Sequence, residues 1–142
     1  MTVRVERSFE LPVERERVWE FIADPGRRAT AISVVEDYTV HDDGSATWHI
    51  RLPIPVVDKT IAVETEDEEV REPEYVRFVG RSKVMKVVGE HELAETETGT
   101  KVTNRFVVDG SLPGVERFFK KNLDGELKNL EEALAEDLGV EV

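Results

Sequence analysis

Residues 9–25 read FELPVERERVWEFIADP, and the change of period inside this stretch sets the architecture. Phe9 and Leu11 close an alternation that begins with Val3 and Val5, so Thr2 to Leu11 is a strand with one apolar face, interrupted by Arg7. Pro12 ends the strand, since its fixed φ and missing N–H suit a helix entrance better than a ladder. Across Glu14 to Ala23, Val18, Phe21 and Ile22 recur at helical spacing, and Asp24-Pro25-Gly26 acts as a stop. A strand therefore runs straight into a short helix, and a second short helix fits Arg27 to Ile32.

Downstream the period returns to two. Val34 to His41 reads as a strand closed by the turn Asp42-Asp43-Gly44, followed by Ala46, Trp48, Ile50 and Leu52 alternating with polar neighbours up to Pro53 and Pro55. Val57, Ile61 and Val63 continue the pattern toward an acidic turn at Glu66 to Glu69, and Tyr75 to Ser82 is the next strand. Val84 to Glu95 and Thr100 to Asp109 flank the polar connection Thr96-Glu97-Thr98-Gly99 as a hairpin. From Pro113 the spacing becomes helical again: Val115, Phe118, Phe119, Leu123, Leu127, Leu130, Leu134 and Leu138 form one apolar stripe, ending at Gly139. Gly125 breaks the rule within it, because a mid-helix glycine marks a bend or a close contact. The order is strand, one or two short helices, six meandering strands and a long helix, in a single domain over residues 1–142.

Composition narrows the function classes. With 31 acidic against 19 basic residues the net charge is −12, which repels phosphate backbones and anionic membranes, so no nucleic acid partner is expected. Arginines outnumber lysines and acids are spread along the chain, a pattern read either as adaptation to high salt or as an ordinary acidic surface. No apolar run is long enough to cross a bilayer, and the N-terminus alternates apolar and charged residues instead of forming a signal peptide, so a cytoplasmic location and no integral membrane segment are expected. The absence of cysteine excludes disulfides, thiolate metal sites and cysteine nucleophiles. Histidine and carboxylate spacings of metal motifs are missing, as are phosphate loops and a serine nucleophile elbow around Ser82 or Ser111, although Ser82 has a parity that can face inward. No metal and no cofactor are expected.

The element order, with Phe9-Glu10-Leu11-Pro12-Val13 leading into Val18-Trp19-Glu20-Phe21-Ile22-Ala23-Asp24-Pro25, resembles the SRPBCC or START-like superfamily. Gly89-Glu90-His91-Glu92-Leu93 and Gly99-Thr100-Lys101-Val102-Thr103 look like its paired sixth and seventh strands. The resemblance spans essentially the whole chain and is nearest to two branches, the G-type accessory proteins of carbon monoxide dehydrogenase and the polyketide cyclase/dehydrase-like proteins. It implies an α+β helix-grip fold, in which a curved antiparallel sheet of about seven strands wraps a long C-terminal helix and encloses an apolar cavity. Many members of the carbon monoxide dehydrogenase branch add a C-terminal hydrophobic anchor; here the residues up to Val142 read as an ordinary helix, so membrane recruitment is not expected.

Such a cavity is either filled by large side chains or left for a ligand. The ligand-contacting candidates on the inward parity are Tyr38, Trp48, Ile50, Ile61, Phe78 and Phe106, with Phe119 and Leu123 from the helix. Polar residues on the same face are more informative, because an unpaired buried polar group is costly. If Leu93 lies opposite Val102, then His91 lies opposite Asn104, where the two either orient a ligand oxygen or hydrogen-bond each other within the core. Arg7 and Glu36 also fall inward, as a buried ion pair or where the strands leave the core, whereas His41 and His49 read as surface residues. Three functions fit. One is binding or carriage of a hydrophobic small molecule such as a lipid, quinone, isoprenoid or polyketide-like compound. The second is a cyclase or dehydratase using His91 as acid or base with Asn104 holding an oxygen. The third is an accessory protein of the carbon monoxide dehydrogenase kind, acting on a protein partner through its surface.

Overall fold

In a computed structural model, which describes residues 2–52, 60–110 and 113–140, these periods become β1 (Thr2–Leu11), α1 (Arg15–Ile22), α2 (Pro25–Thr30), β2 (Val35–Val40), β3 (Ala46–Ile50), β4 (Ile61–Arg71), β5 (Tyr75–Arg81), β6 (Met85–Glu95), β7 (Thr100–Gly110) and α3 (Pro113–Leu138). All strand pairs are antiparallel, in the order β1-β7-β6-β5-β4-β3-β2, so the first and last strands of the chain are neighbours. α3 leaves β7 and lies across β7 and β1, meeting α1 at its far end. Its stripe of Val115, Phe119, Leu123, Leu127, Leu130 and Leu134 is buried, as the three-and-four spacing requires. This is the α+β helix-grip fold, with a curved sheet wrapped on the C-terminal helix.

Two local expectations are corrected. Asp24-Pro25-Gly26 is the beginning of α2 as well as the end of α1: Asp24 Oδ1 accepts from the N–H of Gly26 at 2.9 Å and of Arg27 at 3.3 Å, and Pro25 stands where no donor is needed. The acidic run Glu66 to Glu69 is not a turn but part of β4, with a register shift between Asp67 and Glu69. Arginines on both sides neutralise it, with Arg77 Nε 3.2 Å from Glu68, Arg81 Nη1 3.6 Å from Glu66 and Arg28 Nη2 2.7 Å from Asp67. The chain reverses just beyond, where the N–H of Glu74 donates to the Arg71 carbonyl at 2.7 Å. Pro53, Pro55 and Val57 lie outside the described residues.

The Arg7–Glu36 pair does not form, because β1 and β2 are the opposite edges of the sheet. Glu36 meets Arg51 at 2.7 Å on the surface, and Arg7 reaches across to Asp124 and Glu131 of α3, both at 3.3 Å. Val40, on the inward parity, ends the edge strand β2 and is 45% exposed.

Two glycines carry opposite consequences. A Cβ on Gly89 would lie 2.1 Å from Phe78 Cε1, so the Phe78 ring occupies the space over that backbone. The ring has no retreat, being held by Trp48, His91 and Phe106 at centroid distances of 5.6, 6.0 and 5.7 Å. Gly125 is exposed on α3 with nothing within 4 Å of a built Cβ, so the close contact expected there is absent. Gly125→Ala is therefore expected to raise stability by about 0.5–1 kcal/mol. Gly89→Ala, which must displace Phe78, is expected to lower it by roughly 1–3 kcal/mol. Urea unfolding of both variants checks the two signs.

Candidate functional site

Between the sheet and the N-terminal half of α3 the core leaves a cavity of about 30 Å³. β3 contributes Trp48 and Ile50, β4 Val63, β6 Met85 and Val87, and β7 Phe106 and Val108, each pointing inward by strand alternation. α3 closes it with Phe119, Leu123 and Glu126, and Ile32 and Val34 of the α2–β2 connection with Val35 of β2 form the remaining wall. The volume is about the share of liquid that one water occupies. The aromatics thus fill most of the space that the sheet curvature opens.

Of the sequence candidates, Trp48, Ile50, Phe106, Phe119 and Leu123 line this cavity. Phe78 is fully buried beside it and touches Trp48 and Phe106, and Ile61 packs against the same core while partly exposed. Tyr38, half-buried, packs against the same core without lining the cavity: its ring sits over Gly26 of α2, where a Cβ would come 3.0 Å from Tyr38 Cε2. Ser82 is half-buried, but its Oγ accepts from the N–H of Val84 at 3.2 Å and of Met85 at 3.1 Å, so it shapes the β5–β6 turn. His41 is exposed against Thr47 at 2.7 Å, and His49 is half-buried on the outer face.

His91 and Asn104 are register partners, with Leu93 opposite Val102, and both are completely buried. They hydrogen-bond each other: His91 Nδ1 stands 2.7 Å from Asn104 Oδ1. A carbonyl oxygen only accepts, so Nδ1 carries the proton and Nε2 presents a lone pair. Neither Nε2 nor Asn104 Nδ2 has a partner among the described residues, and neither residue lines the cavity. Burial, and next the positive charge of Arg28, push the imidazole pKa down to about 3 against the opposing bond from Asn104. Arg28 is itself buried, with Nη1 donating to the Ile22 carbonyl at 3.0 Å, Nη2 to Asp67 at 2.7 Å, and its guanidinium 5.1 Å above the Phe78 ring.

The sequence pattern did not single out Glu126. The residue is 6% exposed and lines the cavity with its hydrocarbon, while its carboxylate turns away to accept from the backbone N–H of Ser33 at 2.8 Å and from the Ser33 hydroxyl. A signal existed, because Glu126 stands three residues after Leu123 and one before Leu127, inside the buried stripe.

The sequence matches, over residues 2–135, the family model described as polyketide cyclase/dehydrase and lipid transport. The chain belongs to that family. No curated protein matches it by sequence. Among solved structures, this polyketide cyclase/dehydrase family member is similar to a conserved protein from Geobacillus kaustophilus, with TM-score 0.78 and 13% identity over 96% of this chain and 95% of that one. A START superfamily protein from Mycobacterium smegmatis aligns with TM-score 0.71 and 14% identity over 92% and 93% of the two chains. The Zhui aromatase/cyclase from Streptomyces sp. R1128 aligns with TM-score 0.70 and 12% identity over 95% of both. At these identities the likeness is one of fold. Among the described residues, no helix of this family member is long and apolar enough to cross a membrane.

The depressed His91 pKa has a pH signature. The unfolded imidazole titrates near 6.5 and the folded one near 3, so between these values the unfolded state holds the extra proton. His91's contribution is complete above pH 6.5 and declines as the pH falls, with a limiting slope of about 1.4 kcal/mol per pH unit. Urea unfolding from pH 7 to pH 4 is expected to show a shallower decline in His91→Gln than in the wild type. Parallel pH curves would refute a buried, neutral His91.

Proposed function

We propose that this protein binds an apolar small molecule between its sheet and α3, as a carrier or sequestering domain. The observation that carries the reading is the residual cavity, walled by hydrocarbon from five strands, the α2–β2 connection and α3 in a core otherwise closely filled. The family description, which includes lipid transport, supports the same reading. Ligand pockets commonly hold roughly 300–1,000 Å³, so binding here requires the lining to open around the ligand. Met85, with three flexible side-chain torsions, and the half-buried Val34 and Val35 are the parts of the wall that yield most readily.

The cyclase alternative is weaker on two counts. His91 lies off the cavity, and its pKa of about 3 sits far from the neutral range in which an imidazole exchanges protons efficiently.

Fluorescence titration with the neutral probe N-phenyl-1-naphthylamine tests the binding reading. The wild type is expected to show saturable one-site binding, and Val35→Phe, which fills the cavity from a half-buried position, is expected to weaken it at least about tenfold, or 1.4 kcal/mol. Absence of saturable binding, or equal affinity in Val35→Phe, counts against the cavity as the site.

A further inference from the structure

The outer side of α3 carries a line of six exposed residues, Arg117, Lys121, Gly125, Lys128, Glu132 and Glu136. They follow one another every three or four positions, so they share one face of the helix. The cations occupy its N-terminal part and the acids its C-terminal part. Other charges of α3 are tied to the rest of the chain, Asp124 and Glu131 by Arg7 and Asp137 by Arg27. None of the five charged residues on the line forms an ion pair among the described residues.

In a single chain this face works against its own helix. Arg117 and Lys121 are like charges one turn apart, as are Glu132 and Glu136, and such pairs are destabilising. Glu136 stands in the last turn, where the helix dipole favours a cation, and no basic residue is there. Gly125, with nothing within 4 Å of a built Cβ, leaves bare backbone near the middle of the face.

A two-fold axis across the face sets the helix antiparallel to its own copy, so the basic part of one lies against the acidic part of the other. The register that puts Lys121 against Glu132 of a second copy also puts Arg117 against Glu136 and Lys128 against Gly125, each contact made twice. We infer that this face of α3 is a dimerisation surface for a second copy of the chain. Opposite charges then relieve both like-charge pairs, and the aliphatic stem of Lys128 lies over the bare backbone at Gly125. The close contact that a mid-helix glycine signals is made between copies. The net charge of −12 on each copy opposes association, so affinity depends on the local match and not on overall attraction.

Sedimentation equilibrium at pH 7 over about 5–500 µM protein tests the surface. The wild type is expected to show a monomer–dimer equilibrium in this range. Lys121→Glu and Glu132→Lys are each expected to weaken it about tenfold, because two attractive pairs become repulsive, and the double reversal to return it to within about threefold of the wild type. Glu132→Lys is the sharper arm, since it makes the chain less negative and overall charge alone predicts tighter association. Gly125→Leu, whose side chain projects into open space in the single chain, is expected to remain folded by circular dichroism and to be monomeric. A wild type that is monomeric throughout overturns the assignment and leaves the face to another partner or to solvent. Single reversals without effect, or a double reversal that fails to recover, overturn it equally, whatever the fate of Gly125→Leu.

Discussion

A curved sheet buries its concave face only if something continuous lies across it, and here that cover is the apolar stripe of α3. The stripe crosses two apolar clusters: Phe119, Leu123 and Leu127 belong to one, and Leu130 and Leu134 to the other. At the C-terminal half, α1 completes the seal with Val18, Trp19, Phe21 and Ile22. At the N-terminal half the helix meets Trp48, Phe106 and the connection holding Ile32 and Val34, and the residual cavity lies there. Its location thus follows from the mismatch between a long helix and a curved surface. Arg7, bonded to Asp124 and Glu131 about two helical turns apart, adds an electrostatic tie from β1 to the same helix.

The two clusters are divided by a row that runs across the sheet from Val76 through His91 and Asn104 to Arg7. A slip of β6 by one residue against β7 would turn His91 to the outer face and bring Glu90 or Glu92 inside, opposite Asn104. The mutual hydrogen bond therefore favours one register strongly, at the expense of leaving one imidazole nitrogen and one amide nitrogen without partners among the described residues. Each such group costs about 1–3 kcal/mol, so the row defines the fold more than it stabilises it. The Phe78 ring, seated over Gly89 between Arg28 and His91, places a cation near the imidazole and contributes to keeping it neutral.

Periodicity made most of this legible. The seven strands, the long helix and the opposition of His91 to Asn104 all follow from counting apolar positions along Val84 to Glu95 and Thr100 to Asp109, because register in a short hairpin has few alternatives. The acidic run at Glu66 to Glu69 was illegible, since its place in a strand depends on Arg28, Arg77 and Arg81 arriving from other elements. Tyr38 had the parity of a cavity residue, but the neighbouring α2 offered its ring the bare surface of Gly26. Glu126 was hidden by composition: on a helix with many acids it looks like solvent-facing charge, and only its phase within the leucine stripe distinguishes it. Its partner Ser33 lies in an irregular connection, where no period identifies what points inward.

A closed cavity and a binding function are energetically compatible. A void of about 30 Å³ costs roughly 0.7 kcal/mol at about 24 cal/mol per Å³, so the unliganded core gives up little stability by keeping it. A ligand the size of two fused rings that buries roughly 250 Å² of apolar surface gains on the order of 6 kcal/mol. Displacing one or two lining side chains to strained rotamers opposes this by about 0.5–1.5 kcal/mol each. The ligand's lost translational and rotational freedom opposes it by at least about 4 kcal/mol more, so insertion needs the displaced groups to stay few, which sets a size limit on the ligand. Within that limit, hydrocarbon contact supplies affinity to any flat apolar molecule alike.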